Sequence, residues 1–233
     1  MKSNTLQSLF ETRFGSFTDE DLRTIAKWIG FSPDQLTAVR GRAHIFMLPF
    51  LAEAPLVGAN LSNIDMSGAK MVSANLTGAL AKRTIFTRAD MTAVRMTGAD
   101  ASRAVFLCTC LLGGTFCGSD FTGATMRAAN VSFANFDEAT MCHALLSDAN
   151  GLHARFRKAN FEMAYLKGGT FSNACFEQAN MQNADLRGCM FHGANFRGAD
   201  LRGADLRGAD FTGADFTSAK LNGARVRGTT GIA

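Results

Sequence analysis

The feature of this chain that most restricts its fold is a large apolar residue that returns every five positions. From Leu61 to Val226 there are 34 such positions, and 31 of them hold Leu, Phe, Met or Val. Two residues earlier, from Ala59 to Ala224, another series of 34 positions holds Ala 26 times. An α-helix repeats every 3.6 residues and a flat strand every two, so neither produces this pattern. The period therefore indicates a coil in which each pentapeptide forms one short side.

The residues around each large residue suit tight corners. The position before it is usually Asn or Asp, as at Asn75 and Asp205, and such side chains bond nearby backbone in turns. Gly is frequent two positions after it, as at Gly78 and Gly208, and Gly can adopt the backbone conformations that tight turns need. These preferences predict a turn in every pentapeptide.

A second period of twenty gives the size of the coil. Phe recurs at this lag in two files, and we predict that the longer file forms a stacked core. The longer file is Phe116, Phe136, Phe156, Phe176, Phe196 and Phe216, and the shorter one is Phe171, Phe191 and Phe211. Four pentapeptides per coil give about eight coils and a rod about 40 Å long.

The near-consensus tracts 184–188 (ADLRG) and 199–208 (ADLRGADLRG) resemble the pentapeptide-repeat family, whose pattern is A(D/N)LXX. The resemblance covers about residues 56–228 and implies a right-handed quadrilateral β-helix. We therefore expect an all-β solenoid whose ends need covers. Amphipathic patterns in residues 1–55 predict an α-helical N-terminal cap, and residues 229–233 a short tail. An uncovered last coil would favour end-to-end pairing of two copies as a homodimer.

Composition restricts the compartment and the chemistry. No run of about 18 apolar residues indicates a transmembrane helix, and the N-terminal residues lack the apolar core of a signal peptide. The six cysteines form no CxxC pair, so free thiols in the cytoplasm are expected. Export by a route that leaves no recognisable signal stays open.

The sequence shows no motif for catalysis, a cofactor or a metal. The four histidines are scattered, and the adjacent pair Cys142-His143 has no orienting acid marked beside it. We therefore expect a protein that is not an enzyme and works through its outer surface.

A helix-turn-helix is an alternative interpretation of the cap. Residues 25–39 have apolar residues at suitable offsets, followed by Arg40 and Arg42. Residues 1–58 nevertheless hold six basic and six acidic residues, and DNA affinity depends on neutralising phosphates. Direct DNA binding is therefore the weaker hypothesis.

One side of the predicted coil carries a candidate partner surface. Apolar residues there replace the usual Asn or Asp, and a basic column stands just after the large residues. The apolar members are Ile85, Val105, Leu145 and Tyr165, and the basic ones are Arg127, Lys167, Arg187, Arg207 and Arg227. A contiguous exposed apolar patch often marks an interface, but drift in a degenerate repeat, and a basic column that is only a solvated face, are equally consistent.

The family resemblance implies a partner as well. Members of this family bind DNA gyrase or topoisomerase IV and protect or inhibit it, so a type II topoisomerase is one expected protein partner. Those proteins are strongly acidic rods that imitate DNA, whereas this chain has a net charge of +4. A scaffold for a different protein partner is the alternative.

Overall fold

The computed structural model describes residues 51–232, which form a four-sided β-helix. Single residues pair in parallel with the residue twenty positions further on, from Pro55 with Asn75 to Asp210 with Thr230. Within residues 51–232 there is no α-helix and no strand longer than one residue. The expected α-helical cap, including Arg40 and Arg42, lies in residues 1–50, outside the described part of the chain.

Each side of a coil consists of five residues that we name by their positions. In the side 74–78 these are the small position Ala74, the bridge position Asn75, the large position Leu76, the flank position Thr77 and the turn position Gly78. Small and large side chains point into the core, whereas the bridge, flank and turn positions face outward in nearly every coil. This alternation explains the five-residue period.

Backbone hydrogen bonds hold successive coils together. In each side three N–H groups, those of the bridge, large and turn positions, donate to carbonyls of a neighbouring coil. A fourth, from the next small position, closes the corner. Around Leu76 these bonds are Asn75 N to Ala54 O (2.8 Å), Leu76 N to Arg95 O (2.6 Å), Gly78 N to Thr97 O (2.9 Å) and Ala79 N to Leu76 O (3.0 Å). Main-chain pairing therefore stacks the coils along the axis.

The corner requires the left-handed backbone region at every turn position. From Glu53 to Gly228 all 36 turn positions have φ between 52° and 74°, and 16 of them are Gly. A positive φ at the third residue of a four-residue turn, with a negative φ at the second, is the type II geometry that favours Gly. The other turn positions carry side chains in a conformation that costs about 1–2 kcal/mol each for most residue types.

Where the bridge residue is Asn or Asp, its side chain bonds the fifth N–H of the side, which is at the flank position. Every Asn or Asp at a bridge position from Asn60 to Asp215 accepts this bond through Oδ1, and Asp120, for example, accepts from Thr122 N at 2.8 Å. The Asn and Asp preference thus has one structural cause, which is an Asx turn that completes the backbone bonding.

The core is a stack of aromatic rings. In the longer Phe file, neighbouring rings lie 4.4–5.3 Å apart and nearly parallel. The shorter file, which begins at Phe171, stacks at 5.6 and 5.0 Å. The members of the longer file from Phe116 to Phe196 are buried, whereas Phe216 in the last coil is only partly buried. Leu221 and Val226 are also partly or largely exposed there, so end-to-end pairing stays a prediction.

The boundaries differ from those that the sequence predicts. Leu51 and Ala54 are buried and Pro55 pairs with Asn75, so the coil is already formed five residues before the expected start at 56. It continues to Thr230, which pairs with Asp210, and residues 51–230 make nine coils rather than about eight. Leu51 and Ala54 match the repeat pattern. Thr230 stands where the repeat favours Asn or Asp, so the sequence does not reveal the last bridge.

We predict that the stacked core contributes unequally along the rod. Phe156→Ala removes a buried ring stacked on both neighbours, at 5.3 and 4.9 Å, and should destabilise the fold by about 3–5 kcal/mol. Phe216→Ala removes a partly exposed ring stacked on one ring of its own file and should cost clearly less. Guanidinium unfolding measured on both variants checks this; equal shifts of the midpoint would contradict the assignment of the core.

Candidate interaction surface

The structure brings the apolar candidates together in one column. Bridge pairing links Ile85 to Val105, Val105 to Thr125, Thr125 to Leu145 and Leu145 to Tyr165. Successive members are therefore one coil apart, about 4.8 Å. Ile85 and Tyr165 are 37% and 48% exposed, and the residues between them are half-buried. We call this column, from Ile85 to Tyr165, the apolar stripe.

The apolar stripe leaves backbone groups without their usual side-chain acceptor. Where a bridge residue is Asn or Asp, it accepts the flank N–H, but aliphatic and aromatic side chains cannot. Within residues 51–232 no protein group accepts the N–H of Thr87, Leu107, Ser147 or Lys167, which flank the four apolar bridge residues. Each such replacement forfeits a hydrogen bond worth about 0.5–1.5 kcal/mol. The flank N–H also has no protein acceptor within residues 51–232 after Arg95, Cys110 and Thr115 on other sides, so the stripe is distinguished by its apolar character rather than by this loss alone.

Apolar replacements on other sides are isolated. Leu80 stands in its column between Asn60 and Asp100, and Met190 stands between Thr170 and Asp210. Both are exposed, so single replacements are tolerated. On the stripe side, by contrast, four of five consecutive bridge positions are apolar. The contiguity distinguishes this side from scattered drift in the repeat.

Leu107 belongs to the same surface although sequence reasoning missed it. It occupies the flank position two residues after Val105 and is 38% exposed. Sorting flank positions at a lag of twenty places Leu107 between Thr87 and Arg127, which was the available signal. The apolar patch is thus wider than the bridge column alone.

The basic column divides into a paired and an unpaired part. Arg187 and Arg207 each bond the Asp two residues earlier, Asp185 and Asp205, at 2.6 Å. These bonds lower the pKa of both carboxyl groups. Arg187 and Arg207 are therefore largely neutralised.

The unpaired part of the column is Arg127, Lys167 and Arg227. None of the three forms an ion pair with another residue of 51–232. Arg127 and Lys167 immediately follow the large residues of the coils that carry the stripe. The stripe consequently has an apolar centre and a positively charged margin.

Cys142 and Cys189 both have raised pKa values. Burial, together with the nearby Glu162 and Asp120, raises the pKa of the Cys142 thiol and disfavours the nucleophilic thiolate. Burial raises the pKa of Cys189 to about 12, and this thiol donates to the Leu166 carbonyl inside the core. No cluster of three metal-binding side chains is found within 51–232, and no helix there could cross a membrane.

Comparison with known proteins identifies the repeat. A family model described as pentapeptide repeats matches eight copies in overlapping segments from residue 51 to residue 230. The chain belongs to the pentapeptide-repeat family. No curated protein matches the sequence. The family assignment agrees with the four-sided coil and with the resemblance of the tract 199–208.

Two solved structures of this family are similar to the chain. The crystal structure of HetL, a pentapeptide-repeat protein involved in heterocyst differentiation regulation from the cyanobacterium Nostoc sp. strain PCC 7120, is 26% identical with a TM-score of 0.60. The match covers 76% of this chain and 81% of HetL. The structure of QnrB1, a plasmid-mediated fluoroquinolone resistance protein, is 22% identical with a TM-score of 0.37, over 65% of this chain and 77% of QnrB1. At that level the likeness to QnrB1 carries no functional argument.

We predict that restoring an Asx residue in the stripe stabilises the rod. Leu145→Asn should raise the melting temperature, because the new amide can accept the Ser147 N–H, with a gain of about 0.5–1.5 kcal/mol. The reverse change on another side, Asn150→Leu, removes the hydrogen bond that Leu152 N donates at 3.2 Å and should lower the melting temperature. Thermal unfolding of both variants measures the difference. A loss of stability in Leu145→Asn would show that the leucine packs favourably in the isolated protein.

We also predict that acid weakens the late coils first. Five bridge carboxyl groups there have lowered pKa values because arginine or hydroxyl groups, and His192 in one case, bond their charged form; they are Asp185, Asp200, Asp205, Asp210 and Asp215. Their stabilising effect is complete above the unfolded pKa of about 3.9 and is lost as pH falls towards the folded values. Hydrogen exchange, corrected for the intrinsic rate, should show protection falling earlier in 185–215 than in 140–170. Uniform loss along the rod would contradict this.

Proposed function

We propose that this protein is a non-catalytic scaffold that binds a protein partner through the apolar stripe. The observation that supports it is the run of apolar bridge residues at positions where the repeat otherwise places a bonded Asn or Asp. Natural repeats retain an unfavourable local choice mainly where it serves another purpose. Binding to a partner removes the apolar side chains from water, and this burial stabilises the complex.

The chemistry of the surface specifies the partner's surface. The stripe spans four coil steps, about 19 Å, along one side of the rod. Tyr165, at the end of the stripe, is its most exposed member and is a residue type that often dominates binding energy at interfaces. Arg127 and Lys167 favour acidic groups at the rim. The complementary surface is therefore a protein face with an apolar centre and an acidic margin.

A type II topoisomerase is the first partner to test, because the family resemblance implies it. The net charge of +4 and the paired arginines of the late coils do not resemble the acidic surface of duplex DNA. If gyrase or topoisomerase IV is the partner, contact through the stripe rather than imitation of DNA is the expected mode. The regulatory role stated for HetL favours the alternative of a different protein partner.

Site-specific photocrosslinking in the native cell tests the scaffold proposal. A photoreactive amino acid at Tyr165 should give one discrete crosslinked protein, whereas the same group at Lys158, on the opposite side, should not. Adding Val105→Asn and Leu145→Asn to the Tyr165 probe should abolish the product, because both changes suit the repeat and remove the apolar contact. The same product from both probes, or no discrete product from Tyr165, would contradict the proposal.

The topoisomerase hypothesis has its own assay. Purified wild-type protein should change gyrase supercoiling or rescue it from a poison, and the double variant Val105→Asn with Leu145→Asn should lose the effect. No effect of the wild type at micromolar concentration excludes gyrase. An effect that the variant retains would place the gyrase contact outside the stripe.

A further inference from the structure

A second surface lies on the side that precedes the stripe in each coil. Here a groove of about 460 Å³ runs along the flank and turn positions of four consecutive coils, from Ser62 to Thr122. Three of its lining residues are cations: Lys82, Arg83 and Arg103. The groove contains none of the stripe residues, so it does not depend on the proposed function.

The two arginines of the groove occupy positions that disfavour them. Arg83 and Arg103 are both turn residues, with φ of 54° and 58°, where Gly is the most common choice. A long side chain in the left-handed region is strained. Both are exposed, so burial of their stems does not explain them. Side chains nevertheless occupy 20 of the 36 turn positions, so the charge of this pair, rather than its φ, distinguishes it.

These arginines also have no carboxylate partner. In another turn column, Lys158 pairs with Glu138, the turn residue one coil earlier, at 3.7 Å. In the groove no neighbour in the turn column is acidic, and Asp100 is bonded to Lys82 at 3.0 Å. Within residues 51–232 neither Arg83 nor Arg103 forms an ion pair. Two guanidinium groups of the groove thus have no carboxylate partner in the described part of the chain.

The turn column has room for the side chain of Arg103. Gly123 follows Arg103 in the turn column, and a Cβ at Gly123 would lie 3.6 Å from Cγ of Arg103. The arginine stem therefore extends along the column towards the next coil. Because Arg83 and Arg103 occupy the same position in adjacent coils, their backbones are about 4.8 Å apart. At that spacing two long arginine side chains can reach oxygens of the same tetrahedral oxyanion.

We propose that the groove binds a single phosphate group between Arg83 and Arg103. Arginine forks match phosphate oxygens in planar, bidentate geometry, and the hydroxyl groups of Ser62 and Thr122 are further polar groups in the same groove. A long polyanion fits less well, because Asp100 and Asp120 lie beside the cations and the basic stretch spans only two coils. The ligand is therefore a single phosphate group, carried by a phosphorylated peptide or free in solution.

Fluorescence polarisation on the full chain tests this site. A labelled phosphoserine peptide should bind, and its unphosphorylated twin should bind at least about tenfold more weakly. Arg83→Gly with Arg103→Gly should reduce binding of the phosphopeptide by a similar factor. This variant should stay folded, since Gly already occupies 16 of the 36 turn positions; thermal unfolding at or above the wild-type temperature confirms it.

The matched control removes the same charge from turn positions outside the groove. Arg88→Gly with Lys158→Gly should leave binding within about twofold of the wild type. Displacement of the peptide by inorganic phosphate supports a free phosphate ligand, and binding without displacement supports an ester within a peptide. Equal weakening by both double variants, indifference to phosphorylation, or equal competition by a short DNA duplex at physiological salt would overturn the proposal.

Discussion

Stacking of identical backbone hydrogen bonds between coils is the constraint on which the rest of this structure depends. Three N–H groups in each side donate to a neighbouring coil, so every coil must follow the path of the one below it. The large residue must then point inward at every fifth position. The corner must also adopt a positive φ, whatever residue occupies it. Changes in sequence are therefore confined to the core volume and to the outward positions.

The same constraint makes the rod sensitive to its bridge residues. Asn and Asp complete the bonding of the one N–H that the coil-to-coil pattern leaves over, and this accounts for their frequency. Small polar residues solve a related problem inside the core. Thr84 and Thr109 donate to the carbonyls of Leu61 and Phe86, at 2.7 and 2.6 Å, and are fully satisfied there. Val105 and Leu145 are outward bridge residues that cannot accept the flank N–H, so they are exceptions to the preference for Asn and Asp.

The sequence predicted the architecture well because one short period controls it. Residue spacing alone predicts the inward positions, the lag of twenty and the shared side of Ile85 and Tyr165. The last coil is less evident from the sequence, because Thr230 forms the backbone pairing without resembling the repeat. The pairing of Arg187 with Asp185 also depends on side-chain rotamers, which a period does not specify. Whether Arg83 and Arg103 have an ion-pair partner also depends on the placement of their neighbours, and among residues 51–232 they have none.

The register of the coil can be measured directly by disulfide formation in solution. Cys175 pairs with Asn195 across one coil step, and the Asn195 amide lies 3.9 Å from the Cys175 sulfur. In a chain whose other five cysteines are replaced, Asn195→Cys should form a disulfide with Cys175 rapidly, since coil spacing suits the Cα separation of a disulfide. Met190→Cys, fifteen residues from Cys175 and on another side, should not. Equal crosslinking at both separations would contradict a twenty-residue coil.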